Sequence, residues 1–309
     1  MLGYSSMKRG LNRSAARRSK EGPSDPSPRR KKGRVKFHKA RIRRFFFTHG
    51  PHRLTGGRMT RRHMATEVKL REIDVVCPSL PRAFDGLRIG HISDFHLGDL
   101  LPVERAVEIV QMLAEQEPDL VACTGDVIDL HSAGAEPLFE ALAGTGAPLG
   151  SLFVMGNHDE LEDRDRVIHM ATSSGMVVLQ NEAIEINHNG DELIVAGVEW
   201  GKTLAQCRRH VDSACDESVH LLLSHNPKSF RRAAEIGIPL TLAGHTHGGQ
   251  IAMRPRTHES RPARRKHKAG LFHHENSRLF VTTGVGAWFP LRINVPPEIA
   301  VITMRSGEE

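Results

Sequence analysis

An α/β sandwich is the architecture this sequence predicts, on two observations. From Leu87 onward, short apolar runs each end in a polar cluster, with amphipathic stretches of helical period between them. The chain has 309 residues and is 39% hydrophobic, enough to cover both faces of a sheet and fill a core. The strand-like runs fall at 87–93, 120–124, 151–155, 192–198, 219–223, 240–243, 279–283 and 299–304. Helical stretches fit 103–115, 136–143, 164–174, 204–214 and 229–236. Residues 253–277 break this rhythm with a basic, His-containing segment, which reads as a long surface loop.

The formal net charge of +7 hides a split. Residues 1–66 hold 20 of the 43 Lys and Arg against two acids, Glu21 and Asp25. Residues 67–309 hold 23 basic and 34 acidic residues, so the basic character belongs to the N-terminal segment. Rich also in Ser, Pro and Gly, residues 1–66 are expected to form a disordered arm, with 67–309 as the folded domain. Met59 and Met64 lie just upstream of the first strand-like run and are alternative starts. The arm's charge suits anionic lipid head groups or nucleic acid, and Phe45, Phe46 and Phe47 beside Arg41, Arg43 and Arg44 favour a membrane surface. No apolar run reaches the roughly 18 residues that a spanning helix needs. Neither a secretory signal nor a CxxC pair occurs, and Cys77, Cys123, Cys207 and Cys215 read as packed thiols in a reducing compartment. The expected location is cytoplasmic, with peripheral membrane contact through the arm.

The chemistry is written at the strand ends. Four runs finish in Asp94-Phe95-His96, Gly125-Asp126, Gly156-Asn157-His158-Asp159 and Gly244-His245-Thr246-His247, and a fifth finishes in Ser224-His225. Alternation along a strand would bring Asp94 beside His96, and His245 beside His247. Each element alone has an ordinary explanation as a helix cap or a packed histidine. It is the joint order over about 155 residues that points to a metal site.

That order resembles the calcineurin-like metallophosphoesterase superfamily, over nearly all of the chain after Leu87. The resemblance implies a four-layer α-β-β-α sandwich and a dinuclear metal centre. By motif, Asp94, His96, Asp126 and His247 would bind one ion, and Asp126, Asn157, His225 and His245 the other. His158 would face the scissile phosphate and Asp159 would orient it. Imidazole, carboxylate and amide ligands without thiolate favour Mn or Fe, with Zn next, over Mg or Ca. Two such ions would activate a hydroxide for attack on phosphorus.

Ser224-His225-Asn226-Pro227, Gly244-His245-Thr246-His247-Gly248-Gly249-Gln250 and the 290–299 segment PLRINVPPEI resemble a bacterial branch of that superfamily. Its members are commonly membrane-anchored or exported, and some resemble UDP-diacylglucosamine pyrophosphohydrolases. This chain carries the basic arm where those have an anchor or export segment. The expected activity is hydrolysis of a phosphodiester or pyrophosphate bond in a small molecule or lipid-linked nucleotide. Nuclease action and a non-catalytic scaffold of the same fold are the competing expectations.

Several residues are read as bystanders. His267, His273 and His274 are expected to be solvated, Cys207 and Cys215 to pack, and Trp288 and Phe289 to pack the sheet rather than wall a pocket. Asp129 is at most a supporting residue. No ligand falls in residues 1–58, so their removal is expected to leave turnover of small soluble substrates unchanged.

Overall fold

The computed structural model describes residues 7–9, 37–253, 260–263 and 267–307, whose strands form two sheets. One sheet contains β2 (Lys69–Val76), β3 (Leu87–Ile92), β4 (Leu120–Cys123), β5 (Ser151–Phe153), β6 (Val177–Val178) and β14 (Glu298–Arg305). Its spatial order is β2-β14-β3-β4-β5-β6, so the last strand in sequence lies parallel to β2 and antiparallel to β3. The other sheet contains β1 (Met7–Arg9), β7 (Glu182–His188), β8 (Asp191–Val198), β9 (Leu221–Ser224), β10 (Leu240–Ala243), β11 (Arg261–Pro262), β12 (Gly270–His274) and β13 (Ser277–Val281). These run in the order β1-β7-β8-β9-β10-β13-β12-β11. Parallel pairing links β3, β4 and β5 in the first sheet and β8, β9, β10 and β13 in the second.

Both faces of each sheet are covered, which is why the central strands are continuous apolar runs rather than alternating ones. Successive side chains serve different layers. Leu120 and Ala122 of β4 and Leu152 of β5 face the second sheet, where they join Leu221, Leu223, Leu240 and Leu242 in one core. Val121, Cys123 and Phe153 face the other way. They pack under α4 (Val103–Ala114), α5 (Glu136–Ala143) and α6 (Arg164–Ser173). On the far side of the second sheet, Leu222 and Ala196 meet Val211 of α7 (Leu204–Ala214) and Ala233 of α8 (Phe230–Glu235). The result is the α-β-β-α sandwich. Thr203 and Gln206 close a capping box on α7, fixing where that helix starts.

The strands expected from sequence all form, and the structure adds others. β7 alternates buried Ile184 and Ile186 with more exposed neighbours, a legible period-two pattern. The surface loop expected at 253–277 is only partly a loop. Residues 254–259 and 264–266 lie outside the described residues, but β12 pairs with β13 and buries Leu271 and Phe272.

The arm also departs from expectation. Most of residues 1–36 lie outside the described residues, but α1 (residues 37–44) is helical and leads through a π-helical turn, Phe45–His49, into α2 (Gly50–Leu54) and α3 (Arg58–Met64). Thr48, Thr60 and His63 are buried, and the Phe47 ring meets Trp288 and Phe289 edge-on at centroid distances of 5.7 and 6.1 Å. A charge-rich segment orders here because a few of its side chains find partners on the domain.

Phe153 is fully buried with its ring 5.7 Å from that of Phe139, beneath α5. Phe153→Ala should lower unfolding free energy by about 3–5 kcal/mol in urea titration, the usual cost of truncating a packed Phe. A loss under about 1 kcal/mol would mean that this helix layer does not hold the sheet.

Candidate metal centre

The carboxyl ends of β3, β4 and β5 in one sheet and of β9 and β10 in the other meet along a common edge, where ligands gather in open α/β sheets. The site residues stand in the loops just beyond these ends. Strand alternation does not bring Asp94 and His96 together, because β3 has already stopped at Ile92. Left-handed backbone does so instead: φ is +58° at Asp94, +48° at His96, +52° at Asp126, +71° at His245 and +48° at His247. Asp, Asn and His tolerate this region better than most residues, yet each such position costs on the order of 1 kcal/mol and persists only where its surroundings fix it.

Hydrogen bonds between loops do the fixing. The Asp94 amide donates to the Gly125 carbonyl at 2.8 Å, and the His96 amide to the Asp126 carbonyl at 2.9 Å. The His245 amide donates to the Asp94 carboxylate at 3.0 Å. Glycine is required where these loops touch. A Cβ at Gly156 would overlap the Asp126 carboxylate, and one at Gly244 would overlap Asp94 and Ser93.

Three groups of ligand atoms result, one of them His96 with Asp129 and His158, and the other two made of expected ligands alone. Asp94, His96 and His247 form one, and Asp126, His225 and His245 the other, each with its ligand atoms within 4.8 Å of one another. His247 Nε2 lies 3.3 Å from Asp94 Oδ1 and 2.9 Å from His96 Nε2. Asp126 Oδ2 lies 3.2 Å from His225 Nε2 and 3.5 Å from His96 Nε2, so this carboxylate stands between the groups.

The donor set fits divalent cations on a second ground. His225 Nε2, His96 Nδ1 and Asn157 Oδ1 are buried without a hydrogen-bond partner among the described residues, which is costly for polar atoms that nothing satisfies. His225 Nδ1 donates to the Thr124 carbonyl at 2.7 Å, which leaves the Nε2 lone pair facing the cluster. Thus six of the seven expected ligands are brought together in these groups, and Asn157 follows Gly156, whose backbone abuts Asp126.

The catalytic pair expected from sequence is rearranged. Asp159 does not serve as the orienting group for His158. Its Oδ2 accepts from the Asp126 and Gly156 amides, both at 2.8 Å, and its Oδ1 from the Ile128 amide at 3.0 Å. It ties two site loops together. The orienting contact belongs to Asp129, whose carbonyl accepts from His158 Nδ1 at 2.7 Å and whose Oδ1 lies 3.4 Å away. A carbonyl can only accept, so Nδ1 carries the proton and Nε2 is turned outward. Burial pulls the His158 pKa down, but the Asp126 charge and the Asp129 hydrogen bond outweigh it and leave it raised. Burial likewise pushes Asp126 up, and the neighbouring His225 and His158 reverse this, holding it well below the usual carboxylate range.

The model of the family described as calcineurin-like phosphoesterase matches residues 87–249, the span that supplies every one of these ligands. The chain belongs to this family. It is a metal-dependent phosphoesterase, and the family's divalent metal ions match the His and Asp clusters just described. The metallophosphoesterase YkuE of Bacillus subtilis is 30% identical over 245 residues, covering 74% of this chain and 82% of that protein. The phosphodiesterase YaeI of Escherichia coli is 28% identical over 227 residues, 70% of this chain and 82% of its own length. A zebrafish transmembrane protein with a metallophosphoesterase domain is 28% identical over 77% of this chain, which spans 58% of it. No helix among the described residues of this phosphoesterase is long and apolar enough to cross a membrane.

Sequence reasoning passed over several residues here. Trp200 follows β8, and its ring lies 4.5 Å from that of His245 and 5.5 Å from that of His225, walling the second ligand group. Arg292 donates to the carbonyls of Thr283, Gly284 and Gly286 behind His247. The motif containing Arg292 was visible, but its role as a clamp on a loop was not. Trp288 and Phe289, expected to pack the sheet, are half-buried and meet the arm. His267, expected to be solvated, is half-buried between the rings of Phe230 and Phe272, and burial lowers its pKa. Cys77, Cys123 and Cys207 are buried free thiols, as packing residues would be.

Because the Asp159 carboxylate accepts from three amides, Asp159→Asn should lose at least one of these bonds and turn a donor towards a donor. Stability should fall by about 1–3 kcal/mol in urea titration. A variant of unchanged stability with only a lower kcat would restore Asp159 as the partner of His158.

Proposed function

We propose that this chain hydrolyses a phosphodiester or pyrophosphate bond, with two divalent metal ions that, when bound, would supply an activated hydroxide. The observation that supports this most is the pairing of two ligand groups across Asp126, with His158 at their edge. Asp94, His96, Asp126 and His247 would hold one ion, and Asp126, Asn157, His225 and His245 the other. Bound divalent ions would supply Lewis acidity towards the phosphoryl oxygens and a nucleophile at neutral pH. The ligand set lacks thiolate and mixes nitrogen with oxygen donors, which favours Mn or Fe, then Zn.

His158 presents Nε2 towards the reacting phosphoryl group, with Nδ1 fixed by the Asp129 carbonyl. From there it delivers a proton to the leaving oxygen or binds the charge that builds on phosphorus. Asp129 positions it, and the Asp126 carboxylate favours its protonated form.

For the substrate we favour a lipid-linked nucleotide or similar amphipathic phosphoester. A groove of about 540 Å³ runs beside the site between the arm and the loop after Asp129, lined by cationic Arg41 and Arg44 and apolar Ile42, Phe45, Phe46 and Leu130. Phe45, Phe46 and Phe47 are 51%, 65% and 44% exposed, unusual for three successive aromatics, and basic residues flank them. This supports peripheral contact with an anionic membrane from the cytoplasmic side. The name of the Escherichia coli relative, a phosphodiesterase, agrees with a diester rather than a monoester bond.

Elemental analysis after Mn loading and desalting should find close to two ions per chain, one for each ligand group. A reproducible value near zero would sink the ligand assignment. Turnover should then be compared on bis(p-nitrophenyl) phosphate, p-nitrophenyl phosphate, UDP-linked lipids in micelles and single-stranded DNA. Fastest cleavage of DNA would replace our substrate reading with nuclease action, and inactivity at full metal content would leave a scaffold.

Two variants separate binding from chemistry. Asp126→Ala should lose metal as well as rate. His158→Ala should keep both ions and lower kcat by roughly 10² to 10⁴. The loss should be larger for an alkoxide leaving group than for p-nitrophenolate, which departs without a proton. Emptying of the metal site by His158→Ala would contradict the division between ligand Asn157 and catalyst His158.

A further inference from the structure

Arg43 stands on α1 of the basic arm, and its Nη2 donates to His158 Nε2 at 2.7 Å. This is the ring nitrogen opposite the one held by the Asp129 carbonyl. The arm segment is fixed at several points around this contact. Arg44 Nη2 pairs with Asp99 at 2.7 Å, and its Nε lies 3.9 Å from Asp129, the residue that orients His158. His49 Nε2 lies 3.5 Å from the same Asp99 carboxylate. The Arg43 guanidinium also sits 5.9 Å from the centre of the Trp288 ring, while Phe47 packs against the other ring contacts of that wall. Phe37, at the start of α1, meets the His131 ring at 5.5 Å.

An Arg stem left exposed at the rim, with its charged fork aimed inward at a buried imidazole, is a poor structural ion pair. A guanidinium and an imidazole carry no negative charge, so neither neutralises the other. At 2.7 Å nothing fits between them, but the guanidinium carries further N–H donors that can reach an anion bound beside the imidazole. A phosphoryl oxygen has the charge and the lone pairs to accept from both, and a guanidinium fork matches its geometry.

We propose that Arg43 is a phosphate-binding residue of this enzyme, contributed by the basic arm and working with His158 on the same phosphoryl group. The inference rests on the phosphoesterase reading of the site. It also reverses the expectation that residues 1–58 are dispensable for small substrates: the arm completes the substrate site.

The test uses the full chain loaded with Mn and three variants: Arg43→Ala, Arg43→Lys and the control Arg53→Ala, which removes one exposed charge elsewhere on the arm. Binding of inorganic phosphate is measured by calorimetry, turnover by bis(p-nitrophenyl) phosphate hydrolysis, and metal content by elemental analysis. Arg43→Ala should weaken phosphate binding and lower kcat/KM by roughly 10- to 100-fold each, the worth of a charge-assisted hydrogen bond to phosphate, at unchanged metal content. Arg43→Lys should keep the charge, lose the fork and fall between. Arg53→Ala should stay within about twofold of the parent chain.

Three results would overturn the proposal. Faster turnover in Arg43→Ala would make Arg43 a plug, and values within twofold of the parent would make it a bystander. An equal loss in Arg53→Ala would reduce the effect to the arm's overall charge. If the parent chain hydrolysed no phosphoester yet bound phosphate in an Arg43-dependent way, the hydrolysis reading would fall and the Arg43 site would stand.

Discussion

Two aspartates, Asp94 and Asp126, are buried within one cluster, and most of the surrounding structure follows from having to keep them there. A buried carboxylate costs several kcal/mol unless charge and hydrogen bonds compensate it, and two close together cost more. Burial and the Asp126 charge together raise the Asp94 pKa, whereas His225, His158 and His96 pull Asp126 the other way. Protein groups alone leave this account uneven. Divalent cations held by these residues would remove the imbalance and so link metal affinity to folding stability.

Such a cluster needs a rigid frame, because its loops have no reason of their own to adopt left-handed backbone at five polar residues. The frame comes from two sheets whose shared apolar core holds their carboxyl ends in register. Asp159 is the joint between loops: one carboxylate fixes the amides of Asp126, Ile128 and Gly156. The carboxylate nearest to His158 in sequence therefore serves the backbone, and the backbone carbonyl of a residue 29 positions upstream serves the ring.

The fold was legible because both sheets are covered on both faces, which turns strands into unbroken apolar runs that single-sequence reading detects. β2 escaped because it lies at a sheet edge and mixes Lys69, Arg71 and Asp74 with buried Ile73 and Val75. The candidate ligands were legible since all but His225 sit beside a glycine or in a two-apart pair at a strand end, and His225 ends its strand alone. Their mechanism of convergence was not, since left-handed φ at Asp94 or His96 leaves no local pattern. Asp129 and Arg43 were undervalued for a related reason. Arg43 meets His158 across 115 residues of sequence, within a charge run whose composition is that of a solvated tail. Composition averages over a segment, whereas docking depends on a few side chains.

The position of β14 bears on how the molecule is made. It separates β2 from β3, pairing along residues 298–305 with the first and 300–304 with the second. During synthesis from the N-terminus, β2 and β3 exist for more than 200 residues of elongation with the slot between them unfilled. The sheet can close only once residues 298–305 have left the ribosome, since β14 is the strand that fills the slot. Until then each nascent chain presents two open strand edges, the kind of surface that captures a neighbour. Rapid release, or a chaperone that shields those edges, is therefore built into the requirements of this fold. A change that removes β14 would leave β2 and β3 without their shared partner, and so unseat the sheet that carries half of the metal centre.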